Sequence, residues 1–276
     1  MSEPILQVKN LHFTYDDKKM VLEGVNVSIH EGERIAVIGS NGAGKSTFFL
    51  NINGVLSPKK GEILYRNTKI TKKSLQKLRK NIGIVFQDAD NQIIASSVMA
   101  EVSFGPMNLK LPRREVLERV NMAMDYMNIS DFKDRPPHYL SGGEKKRVSI
   151  ADIIAMKSEV IIFDEPTAAL DPFNTAMLEE VLEKLSSEGK TLLISTHDVN
   201  FAYRWAQRIL VFCGGQIIAD GTPLEVFQET EVLKKANLMR PTMLDVYEAL
   251  VAKGLLPDAK LYPKDVTEFY KYLQTL

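Results

Sequence analysis

The stretch "VIGSNGAGKST", Val37–Thr47, carries the spacing G-x-x-x-x-G-K-[ST]. It closes the apolar run "RIAVIG" (Arg34–Gly39) and precedes a helical pattern. A glycine-rich loop between a strand and a helix is the setting in which such a motif cradles phosphates. Gly39, Gly42 and Gly44 free the backbone of Cβ atoms, so successive N–H groups can converge on an anion. The following helix adds the positive end of its dipole. The candidate nucleotide-binding segment is therefore Gly39, Ser40, Asn41, Gly42, Ala43, Gly44, Lys45, Ser46 and Thr47. Within it Lys45 is placed to reach the β- and γ-phosphates of a nucleotide, and the Ser46 hydroxyl to ligate Mg2+.

Such a loop needs a second metal partner at the end of a neighbouring strand. "EVIIFDEP" (Glu159–Pro166) supplies Asp164, which is expected to hold Mg2+ through its hydration shell. Glu165 follows at once. Consecutive strand residues face opposite ways, but a turn at the strand end can aim both carboxylates inward. Glu165 is the candidate for polarising an attacking water.

Two more apolar runs, "TLLIST" (Thr191–Thr196) and "RILVFC" (Arg208–Cys213), also read as buried parallel strands. The helical pattern Asn174–Gly189 lies between strands, which indicates an α/β sheet covered on both faces. Leu6–Tyr15, Gly24–Glu33 and Gly61–Ile70 alternate apolar and polar residues, as half-exposed antiparallel strands do. Asn91–Met156 is helical without clear strands, and helical patterns return over Glu231–Leu238, Met243–Gly254 and Pro263–Leu276.

Composition narrows the class. Of 276 residues, 45% are hydrophobic and 25% charged, with 35 Lys+Arg against 35 Asp+Glu. No bulk field draws the chain to nucleic acid or to anionic lipid. The basic run Lys145, Lys146, Arg147 reads as a solvated helix face, and the single Cys213 as a small buried hydrophobe. No apolar run approaches the ~20 residues that span a bilayer. The start "MSEPILQVKN" lacks the pattern of a signal peptide. A cytoplasmic protein is expected, whose membrane spans, if it needs them, come from another subunit.

"YLSGGEKKRVSIADIIAM" (Tyr139–Met156) poses a local problem. Ser141 and Glu144 have the spacing of a capping box. A good N-cap is worth ~1 kcal/mol, yet each glycine in a helix gives back up to ~1 kcal/mol, less in the first turn. Capping alone leaves Gly142 and Gly143 unexplained.

With these motifs assembled, roughly residues 4 to 225 resemble the ATP-binding subunits of ABC transporters. "LSGGE" looks like that family's signature. The resemblance implies two copies closing head-to-tail around two ATP molecules, the P-loop of one facing Ser141, Gly142 and Gly143 of the other. A bare helix N-terminus could then press against a γ-phosphate, a charge stabiliser supplied in trans. The same resemblance makes Tyr15 the ring that stacks on adenine and Gln87 the glutamine that senses Mg2+ and the γ-phosphate. It makes Ala169–Asp171 a loop touching the opposite subunit and His197 a γ-phosphate contact. The catalytic candidates are thus Glu165, His197 and Gln87, and the metal candidates Ser46, Gln87 and Asp164.

Asp88–Leu109, "DADNQIIASSVMAEVSFGPMNL", is similar to the segment of energy-coupling-factor ATPases, especially cobalt-import (CbiO-type) subunits. The implied architecture is α/β: a P-loop NTPase (RecA-like) core with an antiparallel β subdomain, an inserted helical subdomain and a C-terminal helical extension. Residues 1–226 would form the ATPase domain, with its helical subdomain at about 88–156, and residues 227–276 an extension that could serve dimerisation. Expected partners are an identical or paralogous ATPase, an integral membrane coupling subunit and a membrane subunit that binds the substrate, with no nucleic acid. The expected location is the cytoplasmic face of the cell membrane, peripherally. A vitamin or nickel importer of the same type is the alternative. ABC ATPases outside transport usually carry a long coiled-coil insertion or two such domains, and this sequence has neither. Its lack of a His or Cys cluster agrees with ion selection residing in another subunit.

Overall fold

The computed structural model describes residues 3–16, 18–168, 170–257 and 260–276, so Ala169 of the loop expected to meet an opposite subunit lies outside the described residues. Strands β1 (Leu6–Phe13) and β2 (Leu22–Ile29) form an antiparallel pair; β1 stops two residues short of Tyr15. Next come β3 (Arg34–Ile38) and helix α1 (Lys45–Ile52), with the phosphate-loop motif between them. Gly61–Ile70, expected as one strand, is a hairpin of β4 (Lys60–Tyr65) and β5 (Thr68–Lys69). Arg66 and Asn67 both take positive φ at its tip, which a continuous strand does not allow. The four strands form one antiparallel sheet, ordered β2-β1-β4-β5.

Helix α2 (Leu75–Asn81) leads into β6 (Ile82–Val85), a strand that the sequence pattern does not announce. It is four residues long and contains Gly83. A Cβ there would lie 2.4 Å from Cγ2 of Ile153, so the glycine is dictated by close packing rather than by a turn. Helices α3 (Val98–Asn108), α4 (Arg113–Tyr126) and α5 (Gly142–Ala155) fill the stretch expected to be helical. Then follow β7 (Val160–Asp164), α6 (Pro172–Ser187), β8 (Thr191–Ser195), α7 (Val199–Trp205), β9 (Arg208–Cys213) and β10 (Gln216–Gly221). The chain continues with α8 (Pro223–Gln228), α9 (Thr230–Ala236), α10 (Thr242–Ala252) and α11 (Val266–Leu273).

The large sheet is ordered β10-β9-β3-β8-β7-β6, parallel except for β10. Alternation along its buried strands divides the core. Ala36, Ile38, Ile161, Phe163, Leu192, Ile194, Ile209 and Val211 face the helices α3 to α9. Ile35, Val37, Val160, Ile162, Leu193, Leu210 and Phe212 face α1 and the antiparallel sheet. Both faces are apolar because both are covered, the signature of a parallel sheet. Every loop at the carboxyl ends of β3, β7 and β8 therefore opens on one edge, where ligands of such sheets bind.

The C-terminal helices pack partly on this body and partly on themselves. Leu233 and Leu244 join the main core. Tyr247, Leu256 and Tyr272 make a small cluster of their own. Leu255, Leu261, Val266, Tyr270 and Leu276 remain exposed. Cys213 is half-buried, and its thiol donates to the Lys235 carbonyl at 3.3 Å, so it is tied to α9 rather than sealed in the core. Among the described residues no helix is long and apolar enough to cross a membrane.

Candidate active site

The loop after β3 is held from below and open above. Gly39 has φ 147°, and a Cβ there would stand 2.2 Å from the Phe212 carbonyl oxygen of β9. Gly42, with φ 75°, has nothing near its missing Cβ, so its backbone faces open space where an anion would sit. Lys45 is buried at the start of α1. Its Nζ donates to the carbonyls of Gly39 at 2.8 Å and Ser40 at 3.3 Å. Ser46 is exposed at the mouth, whereas Thr47 is buried. The Thr47 hydroxyl lies 3.2 Å from that of Tyr15. Tyr15 stands edge-on to Phe13 and is 61% exposed, so it is not a core aromatic and offers a ring face beside the loop.

Asp164 ends β7, and its Oδ1 accepts a hydrogen bond of 2.6 Å from the Ser195 hydroxyl of β8. Glu165 takes a positive φ of 45°, the turn that reverses strand alternation. Its own N–H donates to the same Ser195 oxygen at 2.8 Å. The turn carries the Glu165 carboxylate to 2.9 Å from Nε2 of His197 and 4.0 Å from Nζ of Lys45. Burial pushes the Glu165 carboxyl above its usual range, with Lys45 opposing and Asp164 reinforcing the shift. Burial also lowers Lys45, against the pull of Glu165 and Asp164. His197 is lowered by burial and by the nearby Lys45. Burial thus acts against the charged form of each of these three groups.

Gln87 follows β6 and is exposed. Its backbone carbonyl accepts a hydrogen bond of 2.9 Å from Nζ of Lys146, which also donates to Phe86 O at 2.7 Å. Lys146 is 4% exposed, so the basic run Lys145–Arg147 is not the solvated face the sequence suggested. Its pKa falls to about 8 through burial, with Asp164 and Asp88 opposing the shift.

Ser141 caps α5. Its Oγ accepts from Glu144 N at 3.3 Å, and Glu144 Oε2 accepts from Ser141 N at 2.7 Å, a complete capping box. The serine proton remains able to donate elsewhere. The two glycines differ. Gly142 is exposed, with nothing within 4 Å of a Cβ, whereas a Cβ on Gly143 would come within 2.9–3.0 Å of the Asn174 side chain on α6. Only Gly142 is bare toward open space; the smallness of Gly143 already serves a contact within the chain. Asn174 in turn donates to Asp171, the N-cap of α6, through Nδ2 at 2.6 Å and its backbone N–H at 2.9 Å.

The structure therefore gathers Lys45, Asp164, Glu165 and His197 at one edge, with Tyr15 and Ser46 at its rim. It holds Gln87 by its backbone on the helical side. Among the described residues, no hydrogen bond or ion pair joins Ser141–Gly143 to the phosphate loop or to Glu165. The sequence reading missed Ser195, Asn174 and the burial of Lys146. The one available signal was a hydroxyl in "ISTHD" (Ile194–Asp198), whose role depends on a strand register that one strand cannot reveal.

Residues 22–168 match the ABC transporter family. Over 255 residues the chain is 46% identical to an energy-coupling factor transporter ATP-binding protein, EcfA, of Methanocaldococcus jannaschii, covering 92% of this chain and 91% of that one. The chain belongs to the ABC transporter ATP-binding family. It shares its fold, with a TM-score of 0.75 and 43% identity, with CbiO1 of Clostridium perfringens, described as part of the ABC transporter complex CbiONQ. That likeness covers 90% of this chain and 100% of the other. A third relative is an ATP-binding cassette solved as a dimer in a post-hydrolysis state with ADP and Pi, at 30% identity and TM-score 0.71, covering 79% of this chain and 98% of that one. As a member of this ABC family the chain is an ATP hydrolase of the energy-coupling-factor group.

Proposed function

We propose that this ATPase works as one half of a head-to-tail dimer, with an identical or paralogous partner, and drives an energy-coupling-factor importer of cobalt ions. The observation that carries the shared site is an asymmetry. The Lys45–Glu165–His197 cluster forms a pocket edge, while the signature turn of the same chain holds Gly142 out to open space. Each half has what the other lacks.

The mechanism follows from what each residue can do. Gly42 and its neighbours offer N–H donors to the phosphates, and Tyr15 offers a ring face to the adenine. Lys45 exchanges its loop carbonyls for the β- and γ-phosphates, a better match for a cation. Ser46, the Gln87 side chain and Asp164 form an all-oxygen donor set, which suits Mg2+; bound there, the ion would neutralise charge on the phosphate oxygens. Glu165 orients a water and takes its proton as the water oxygen bonds to the γ-phosphorus and the bond to the β-phosphate oxygen breaks, leaving ADP and phosphate. His197 steadies the Glu165 carboxylate and reaches toward the γ-phosphate. Ser141, Gly142 and Gly143 of the partner close the far side of that phosphate with a helix N-terminus.

Residues 1–226 would act as the ATPase domain, with the helical stretch of about 88–156 facing a membrane coupling subunit. Residues 227–276 would contribute to dimerisation, consistent with the exposed Leu255, Val266 and Tyr270. The chain would sit at the cytoplasmic face of the membrane, with a separate membrane subunit binding the substrate. The likeness to CbiO1, together with the CbiO-type character of Asp88–Leu109, is what favours the cobalt reading.

Glu165→Gln tests the assignment. Turnover should fall by about 100-fold or more, the scale on which general bases contribute, and ATP should trap a dimer visible by sedimentation. Brisk hydrolysis by that variant overturns the role of Glu165. ATP-driven uptake by the reconstituted transporter tests the substrate: uptake of cobalt supports the proposal, and uptake of nickel or a vitamin alone replaces it.

A further inference from the structure

Three side chains bind the segment after β6 to helix α5. Lys146 Nζ donates to Phe86 O at 2.7 Å and Gln87 O at 2.9 Å. One residue earlier on α5, Lys145 Nζ pairs with Asp90 Oδ1 at 2.6 Å. About one turn later, the Ser149 carbonyl accepts from Gln92 Nε2 at 3.3 Å, while Oε1 of the same glutamine accepts from Phe86 N at 3.2 Å. The segment 86–92 is thus laid along the first two turns of α5. Lys145 is partly exposed and Asp90 well exposed, and exposed ion pairs contribute little. Lys146 differs. It is buried, charged, and donates to two adjacent backbone carbonyls some sixty residues away in the chain. Such a group holds only when its partners stay put, because a buried cation without them is costly.

Geometry makes this contact a mechanical link. Lys146 lies four residues after Gly142, about 6 Å along the helix. One end of the link is the backbone of the residue proposed to sense the γ-phosphate. The other is the helix whose first turn is proposed to close on the partner's nucleotide.

We propose that Lys146 is a positioning residue that makes the Gln87 segment and the signature helix move as one body, so that engagement of Gln87 at its own P-loop sets the orientation of Ser141 and Gly142 toward the opposite one. This rests on the roles proposed above for Gln87 and the signature turn. Lys146 touches no reacting atom; it acts through the two carbonyls it holds. The coupling runs in both directions, since a link that transmits displacement transmits it reciprocally.

The test compares the full-length chain with Lys146→Met and Lys146→Arg. Hydrogen exchange is followed with and without Mg2+ and a non-hydrolysable ATP analogue, and steady-state hydrolysis is measured alongside. In the wild type the analogue should protect segments 86–92 and 141–146 together. In Lys146→Met, nucleotide affinity should stay within about threefold and the 86–92 protection should persist, while protection at 141–146 is lost. The kcat should fall about tenfold or more with KM little changed, the scale expected when a distant residue misplaces reacting groups. Lys146→Arg, which keeps a cation with several donors, should restore joint protection and most of kcat. Joint protection and wild-type kcat in Lys146→Met overturn the proposal. Should that variant fail to fold, Lys146→Gln, whose amide can still serve one carbonyl, is read by the same measures: weakened co-protection supports the link, and undiminished co-protection overturns it. Glu165→Gln is run in parallel. Loss of hydrolysis there with normal behaviour of Lys146→Met removes only the link, while hydrolysis by Glu165→Gln removes the site reading beneath it.

Discussion

Replacing the two signature glycines one at a time separates two reasons for their being glycine. A Cβ on Gly142 meets nothing within 4 Å. Gly142→Ala should therefore leave the nucleotide-free chain as stable as the parent, or stabilise it by a few tenths of a kcal/mol, since alanine is the better helix residue. A Cβ on Gly143 lands 2.9 Å from Asn174 Cγ and Nδ2 and 3.0 Å from its Oδ1. Ordinary contact needs roughly half an ångström more, which a well-packed site resists. Asn174 is not free to swing away, because its Nδ2 is committed to Asp171 Oδ2 at 2.6 Å. Losing a hydrogen bond to a charged group costs about 1.5–3 kcal/mol in full. Partial loss at this exposed end, set against the helix gain, leaves a net cost of about 1 kcal/mol for Gly143→Ala. Asn174→Ala removes the obstacle, so the double variant should recover about 1 kcal/mol relative to the sum of the single changes. Urea unfolding of the nucleotide-free chain at low protein concentration measures all four corners of the cycle. Equal stability of the two glycine variants, with no coupling to Asn174, refutes the claim that Gly143 is held bare from within. In hydrolysis assays Gly142→Ala should still lose activity, because in the proposed head-to-tail dimer its methyl group would stand against the partner's nucleotide.

Gly83→Ala should destabilise the chain by about 1–3 kcal/mol through overpacking, since its Cβ would stand 2.4 Å from Cγ2 of Ile153. The denaturation midpoint should fall, and pairing with Ile153→Ala should cost less than the two changes summed; strict additivity would argue against the close crossing of β6 and α5. Asp152, half-buried where α5 crosses Gly105 of α3, has its pKa raised from 3.8 to about 7 by burial, with the Gly105 N–H opposing and Glu101 reinforcing. The native state then holds a proton that the unfolded chain releases, so between about pH 4 and pH 7 this residue's contribution to stability declines as pH rises. Asp152→Asn should flatten that slope and gain on the order of 1 kcal/mol at pH 8, after allowance for partial solvation; an unchanged pH profile of the melting temperature counts against it.

The parts legible in the sequence are those where a local constraint leaves a mark on residue type. A loop that must wrap an anion needs glycines, a lysine and a hydroxyl at fixed spacing. A helix start needs its Ser141–Glu144 pair. A buried parallel strand shows as an unbroken apolar run. What escaped has its cause elsewhere in the chain. Strand β6 is too short to show a period, and its Gly83 answers to Ile153 on α5. Lys146 looks like part of a solvated basic run because its partners are backbone carbonyls, which leave no pattern at all. Gly143 reads like Gly142 until Asn174 is seen beside it. Tyr15 could have been core or surface by alternation alone; its position beyond the last residue of β1 settles it as surface.

The two adjacent carboxylates show how register becomes chemistry. Left in strand geometry, Asp164 and Glu165 would point to opposite faces. The left-handed turn at Glu165 prevents that, at a cost of about 1–2 kcal/mol for a non-glycine residue. One hydroxyl on the next strand offsets that cost. Ser195 accepts the Glu165 N–H and donates to Asp164, so it satisfies the turned backbone while fixing the preceding carboxylate. Two residues on, the same chain end presents His197 to the Glu165 carboxylate. Both interactions depend on Asp164 standing opposite Ser195 in the parallel ladder. A slip of one residue would set Ile194 or Thr196 there. Isoleucine has no hydrogen bond to give, and the slip would turn the alternating core residues of β8 to the wrong face. The packing of Leu192, Leu193 and Ile194 that fixes the register is thus also what brings both carboxylates to one edge, Asp164 against Ser195 and Glu165 against His197.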